Sequence, residues 1–194
     1  FSCNTFNSST SVNTLFSSHS LLPVEDLKPM IDECKKIQQE IKSGGDNWRC
    51  NTYNTLGTYE LKNNDKFKKL IDVITNKVNI YAKELKSNYT YTCGNSWFNI
   101  YKKGDYQEYH YHANSYFSAI FVLQTPKPSP TIVFENPLTD MLPLKNLDVC
   151  EINAETFNVN GMDENCLLIF RSHLRHMVHP LQHEGERISI ALNF

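Results

Sequence analysis

The hydrophobic period of this 194-residue chain changes near Ser87, and that change limits its fold more than any other feature. Before it, apolar residues recur every three or four positions. Val24, Leu27, Ile31, Cys34, Ile37 and Ile41 make one stripe, and Phe67, Leu70, Ile71, Ile74, Val78, Tyr81 and Leu85 a second. Each is the signature of a helix that buries one face. Pro23 suits a first turn, Pro29 lets the regular part of the first helix begin there, and Gly44-Gly45 stops it. Asn64 or Asp65 is placed to cap the second helix. Both stripes read as packing faces, not as cofactor sites.

Beyond Ser87 the segments Ser96–Tyr101, Tyr106–His112, Tyr116–Gln124, Thr131–Phe134, Cys166–Phe170, Leu174–Val178 and Arg187–Asn193 are short and rich in aromatic and β-branched residues. They read as strands, divided by turns at Lys103-Gly104-Asp105, Pro126–Pro130 and His183-Glu184-Gly185. Helices followed by a run of strands imply an α+β fold, the strands forming a sandwich or jelly roll with the N-terminal helices packed on the sheet. We expect a single domain over residues 1–194, with a lead-in and helical layer at 1–87 and the β core at 88–194. Within that core, residues 137–164 carry polar residues, Pro143 and Gly161, and read as a long insert that covers a site. The first twenty residues read as an irregular lead-in or an edge strand.

A formal net charge of −2 and a pI near 6.4 provide no general basic field, which argues against nucleic-acid or membrane-surface binding. No apolar run is long enough to span a bilayer, and the start carries neither a charged nor an apolar leader pattern. The six cysteines are scattered without a Cys-x-x-Cys pair, as expected of reduced thiols in a cytoplasmic protein. The sequons at Asn7 and Asn88 are then chance matches.

The chemistry concentrates in Gly104–His112, read with His176 and with Arg187–Phe194. Alternate residues of a strand share a face, so His110 and His112 present two imidazoles together, and His176 on a facing strand completes a triad able to hold a metal ion. Arg187, two strand-widths from His176, sits in an apolar strand where a cation is costly unless it meets an anion. Tyr101 offers a phenol toward the same site, with Asn99 on its face as a weaker candidate. Glu108 shares the strand face of His110 and His112, so it or Asn114 could supply an oxygen ligand. His173 and His179 read as rim residues, and Arg171 and Arg175 as solvated strand ends.

Taken together, Gly104-Asp105 with His110-x-His112, the strand Phe117–Leu123, Ile132-Val133-Phe134-x-x-Pro137, Leu168-Ile169-Phe170-x-Ser172-x-x-x-His176-x-Val178 and Arg187-Ile188-Ser189-x-x-x-Asn193 resemble the 2-oxoglutarate and Fe(II)-dependent oxygenases. The resemblance is greatest to the prolyl-4-hydroxylase-like branch, which includes enzymes of bacteria and tailed phages, and it covers roughly Ser96 to Phe194. It implies a double-stranded β-helix, Fe(II) held by His110, His112 and His176, and the C5 carboxylate of 2-oxoglutarate held by Arg187 with Ser189 assisting. Tyr101 would hydrogen-bond the same co-substrate. The implied activity is O2-dependent hydroxylation of a peptide prolyl residue or a small metabolite, with decarboxylation of 2-oxoglutarate to succinate. The location would be cytoplasmic, in a host cell if the chain is phage-encoded, and exposed strand edges allow a homodimer.

One departure from the family pattern matters. The second ligand position usually holds a carboxylate, giving a two-histidine, one-carboxylate face, and here it is His112. Two alternatives follow: a jelly-roll binding or structural module that keeps the pocket without turnover, and a cupin-like three-histidine metal protein that works without 2-oxoglutarate. Arg187 discriminates against the latter, because it has no purpose without a carboxylate ligand.

Overall fold

Both helical stripes form helices. In the computed structural model, which describes residues 15–44, 48–136 and 156–194, α1 spans Leu27–Glu40 after a short 3-10 turn and α2 spans Asp65–Glu84. Pro29 is the third residue of α1, inside the first turn, where a missing N–H leaves no intrahelical bond unmade. The Asn64 side chain caps α2 by accepting from the Lys66 N–H. Each helix turns its apolar face to the sheet, through Leu27, Met30, Cys34 and Ile37 from α1 and Phe67, Leu70, Ile74 and Val78 from α2.

The strands are β1 (Leu15–Ser18), β2 (Tyr53–Asn54), β3 (Asn95–Tyr101), β4 (Gln107–His110), β5 (Phe117–Gln124), β6 (Ile132–Glu135), β7 (Thr156–Val159), β8 (Cys166–Arg171), β9 (His176–Val178) and β10 (Arg187–Asn193). They form a six-stranded sheet in the order β1-β8-β5-β10-β3-β2 and a four-stranded sheet in the order β4-β9-β6-β7. Every pairing is antiparallel. With the helices on one side, this is the expected α+β double-stranded β-helix. Two elements go beyond the sequence reading. Residues 53–54 add an edge strand outside the expected strand segments, and Thr156–Val159 of the expected insert pair with β6 as β7. Residues 137–155 of that insert lie outside the described residues.

The larger sheet is buried on both faces, and strand alternation sorts its residues. One face, including Phe98, Ile100, Phe121, Ile188, Ile190 and Leu192, meets the helices in one apolar core. The other face contributes Tyr101, Ile120, Val122, Leu168 and Phe170, which meet Phe134, Leu174 and Val178 between the sheets. Opposite one another on this inner face stand Tyr101 and Arg187, Asn99 and Ser189, Trp97 and Ala191, and Asn95 and Asn193. The inner face of β3 and β10 is therefore largely polar within an otherwise apolar sandwich.

Among the described residues Cys34, Cys50, Cys93 and Cys166 are free thiols, and no helix is long and apolar enough to cross a membrane.

Candidate active site

Between β3 of the larger sheet and β4 of the smaller one, the chain turns at Lys102–Asp105. The Lys102 N–H donates to Asp105 Oδ2 at 2.8 Å, and Gly104 takes φ +88°, a conformation that suits a residue without Cβ. This turn brings β4 across the interior, opposite β3 and β10. Arg187 and His176, read from sequence as two strand-widths apart, thus lie on different sheets.

β4 contains a bulge. From Gln107, paired with Val178, to His110, paired with His176, β4 uses one residue more than β9 does. An extra residue reverses the alternation of faces. Gln107 and His110 consequently both line the interior cavity, whereas an unbulged strand would separate them. The same reversal removes Glu108 as a ligand: its Oε1 accepts from the Arg49 N–H at 2.9 Å, and its carboxylate stands outside the histidine cluster. Asn114 is exposed in a left-handed turn at φ +63°. Past His110 the strand ends, and the His112 N–H donates to the Ser172 carbonyl at 2.9 Å.

His110, His112 and His176 converge. One ring nitrogen from each lies within 4.8 Å of the others, close enough for one ion, and among the described residues this is the only such cluster of histidine, cysteine or acidic side chains. Each Nδ1 has a neighbour on the protein. That of His110 is 2.8 Å from the Glu108 carbonyl, that of His176 is 2.9 Å from the Leu174 carbonyl, and that of His112 is 2.6 Å from Asn193 Oδ1. Assigned from these acceptors, the proton of every ring sits on Nδ1, and each Nε2 keeps a lone pair for a metal. Ser118 Oγ, 2.8 Å from both His112 Nδ1 and Ser172 Oγ, completes the support behind His112. Burial lowers the proton affinity of all three imidazoles, that of His112 to about 4 and that of His176 well below the usual range. They are neutral and ready to ligate at neutral pH.

Neither Ser118 nor Asn193 was assigned a role from sequence, although Asn193 shares the Arg187 and Ser189 face by simple alternation. We expect Asn193→Leu to weaken divalent-metal binding roughly 10–100-fold, as loss of a ligand's orienting acceptor generally does. Titration against a competing chelator measures this, and an unchanged affinity would mean that His112 is oriented by Ser118 alone.

At the other end of the cavity Arg187 is fully buried, and its Nε, Nη1 and Nη2 have no acceptor. The Tyr101 ring lies under the guanidinium, 5.0 Å from Cζ to centroid, and is itself 2 % exposed. Burial raises the Tyr101 hydroxyl above its ordinary range, so it remains a neutral donor. The cavity measures about 250 Å³, and among the described residues no aspartate or glutamate lines it. Both tryptophans of the chain flank the triad, Trp48 edge-on to His110 at 5.1 Å and Trp97 tilted against His112 at 5.6 Å. His173 and His179 are exposed and outside the cluster.

These residues fit a metal with a chelating dicarboxylate. Three neutral nitrogen donors face one point, and an uncompensated buried cation waits for an anion beyond it.

Comparison with known proteins agrees. The family model described as "Putative 2OG-Fe(II) oxygenase" matches residues 95–193. No curated protein sequence matches the chain. Among solved structures, a prolyl-4-hydroxylase from Pseudomonas putida superposes with a TM-score of 0.63 at 12 % identity, over 93 % of this chain and 92 % of that one. A viral collagen prolyl hydroxylase from Paramecium bursaria Chlorella virus-1, in its 2OG complex, gives a TM-score of 0.58 at 14 % identity, over 93 % and 94 %. HygX from Streptomyces hygroscopicus, with nickel, 2-oxoglutarate and hygromycin B bound, gives 0.59 at 11 % identity, over 92 % and 81 %. At these identities the three show a shared fold.

Proposed function

The chain belongs to the 2OG-Fe(II) oxygenase family, and from that membership we propose that it is a 2-oxoglutarate- and Fe(II)-dependent dioxygenase that hydroxylates a peptide prolyl residue or a small metabolite. The observation that carries the reading is the orphaned guanidinium of Arg187 in one cavity with three lone-pair-bearing imidazoles. Metal binding alone would account for the histidines and leave Arg187 unexplained.

His110, His112 and His176 hold Fe(II) through Nε2, and Arg187 grips the C5 carboxylate of 2-oxoglutarate with a planar fork that stays charged. Ser189 and Tyr101 flank that carboxylate as hydroxyl donors. When bound, the metal, 2-oxoglutarate and O2 supply an oxidation in which the co-substrate becomes succinate and CO2 and one oxygen atom enters a substrate C–H bond. The protein's share is placement and exclusion of water: Ile120 and Val178 line the cavity, and the two indoles crowd the triad.

The cavity is small beside the roughly 300–1,000 Å³ of sites that engulf a drug-sized ligand. With co-substrate inside, space remains for a group about the size of one side chain. A prolyl ring projecting from a peptide meets that limit, as does a compact metabolite. Titration of the protein with Fe(II) and 2-oxoglutarate under anaerobic conditions should develop the visible metal-to-ligand charge-transfer absorption of a chelated 2-oxo acid, and admission of air should release succinate. Metal uptake without that absorption would favour the cupin-like alternative. The absorption without succinate, with prolyl peptides and metabolites supplied, would favour a module without turnover.

A further inference from the structure

Besides Arg187, one other buried side-chain donor in the cavity is unpaired. Among the described residues, five buried side-chain nitrogens lack a partner: three belong to Arg187, one is Arg171 Nε elsewhere, and the fifth is Gln107 Nε2. Gln107 is 7 % exposed and lines the same cavity as Arg187, Tyr101 and Ser189. A buried amide N–H left without an acceptor is costly, and one that faces a ligand cavity is best explained by an acceptor carried in by the ligand.

Topology fixes which end of the ligand that is. Gln107 opens β4 directly after the turn from Tyr101, and it pairs with Val178, whereas His110 pairs with His176 further along. Tyr101 in turn stands opposite Arg187 at the start of β10. Gln107 therefore occupies the Arg187 end of the smaller sheet, and the metal triad lies beyond it, with His112 reaching Asn193 at the far end of β10.

We propose that Gln107 is a co-substrate-binding residue that donates through Nε2 to the carboxylate held by Arg187, so that this anion is gripped from both sheets. The assignment rests on the 2-oxoglutarate reading above. It depends on the β4 bulge, since only that irregularity turns Gln107 toward the cavity. It also makes Gln107 a determinant of selectivity for 2-oxo acids that carry a second carboxylate.

The test is calorimetric and needs no turnover. Fe(II)-loaded protein is titrated anaerobically with 2-oxoglutarate and with 2-oxobutyrate, which keeps the chelating head and lacks the distal carboxylate. Gln107→Leu should weaken 2-oxoglutarate binding roughly 10–100-fold, the range for a lost hydrogen bond to a charged group, and leave 2-oxobutyrate unchanged. Gln107→Glu, which conserves shape and places an acceptor beside the anion, should weaken 2-oxoglutarate further and is the deciding variant if the leucine form does not fold. Equal loss for both acids, or no loss for either, would overturn the proposal. Wild-type protein that fails to prefer 2-oxoglutarate over 2-oxobutyrate would instead overturn the co-substrate reading on which it rests.

Discussion

Arg187→Met is expected to make the ligand-free protein more stable and to strip it of most of its response to 2-oxoglutarate. Arg187 is fully buried with all three guanidinium nitrogens unpaired, so the folded chain carries an uncompensated desolvated cation, and burial accordingly lowers its proton affinity. Methionine fills a similar volume without charge. Replacement of buried ionic groups by apolar ones commonly stabilises by about 1–4 kcal/mol. The lost contact with the Tyr101 ring, worth about 0.5–2 kcal/mol, reduces that gain, so a net increase of about 1–2 kcal/mol is expected. Binding moves the other way. Removing one member of a buried charge pair costs about 2–5 kcal/mol, a loss of affinity of roughly 30-fold to several thousandfold. In urea titrations of metal-loaded protein, 2-oxoglutarate at about 100 times its dissociation constant should stabilise the wild type by about 2.7 kcal/mol and the variant by less than about 1 kcal/mol at the same concentration. A variant that is less stable yet keeps its full response would mean that Arg187 serves the fold and not the co-substrate.

This conflict between stability and function is also why Arg187 was legible in the sequence. A charged residue in the run Ile188-Ser189-Ile190-Ala191-Leu192 contradicts its surroundings, and such local contradictions mark sites. The helices were legible for the opposite reason: periodicity, the Asn64 cap and the first-turn position of Pro29 all agree. His110 and His176 form a direct cross-strand pair. His112 joins them although the strand has ended, its ring stacked 5.2 Å from that of His110. At the site, strict alternation failed at β4. Because one inserted residue exchanges the two faces, it promoted Glu108 and hid Gln107, and no residue type in Tyr106-Gln107-Glu108-Tyr109 announces a bulge. Trp48 and Ser118 were invisible for another reason. Trp48 meets His110, 62 residues on, and Ser118 links His112 to Ser172 and Asn193, 54 and 75 residues beyond it, and contacts so distant in the chain have no local pattern.

Acid should unfold the metal-free protein well before it protonates the triad in place, and a divalent metal should abolish much of that sensitivity. An unfolded histidine takes up its proton near pH 6.5, whereas burial holds His112 neutral in the folded chain down to about 4. In that window the unfolded state binds more protons, so stability rises with pH and is lost as pH falls from about 6.5 toward 4. At about 1.36 kcal/mol per pH unit, His112 alone accounts for about 3 kcal/mol across the window, and the lowered His110 and His176 act in the same direction. A bound metal requires the deprotonated rings and adds its own binding free energy to the folded state, so loaded protein should lose stability only where protons outcompete the ion. His176→Leu separates the two effects. Its position, against Phe170 at 4.7 Å and Phe134 at 5.4 Å, accepts an apolar side chain, and one protonatable group leaves the unfolded state. The variant should therefore show a shallower acid transition than the metal-free wild type. With two imidazoles remaining, it should also lose metal stabilisation by more than the roughly 10–100-fold in affinity expected for Asn193→Leu. A variant that keeps both the steep acid profile and the metal response would place the ion, and with it the reacting centre, away from these three rings.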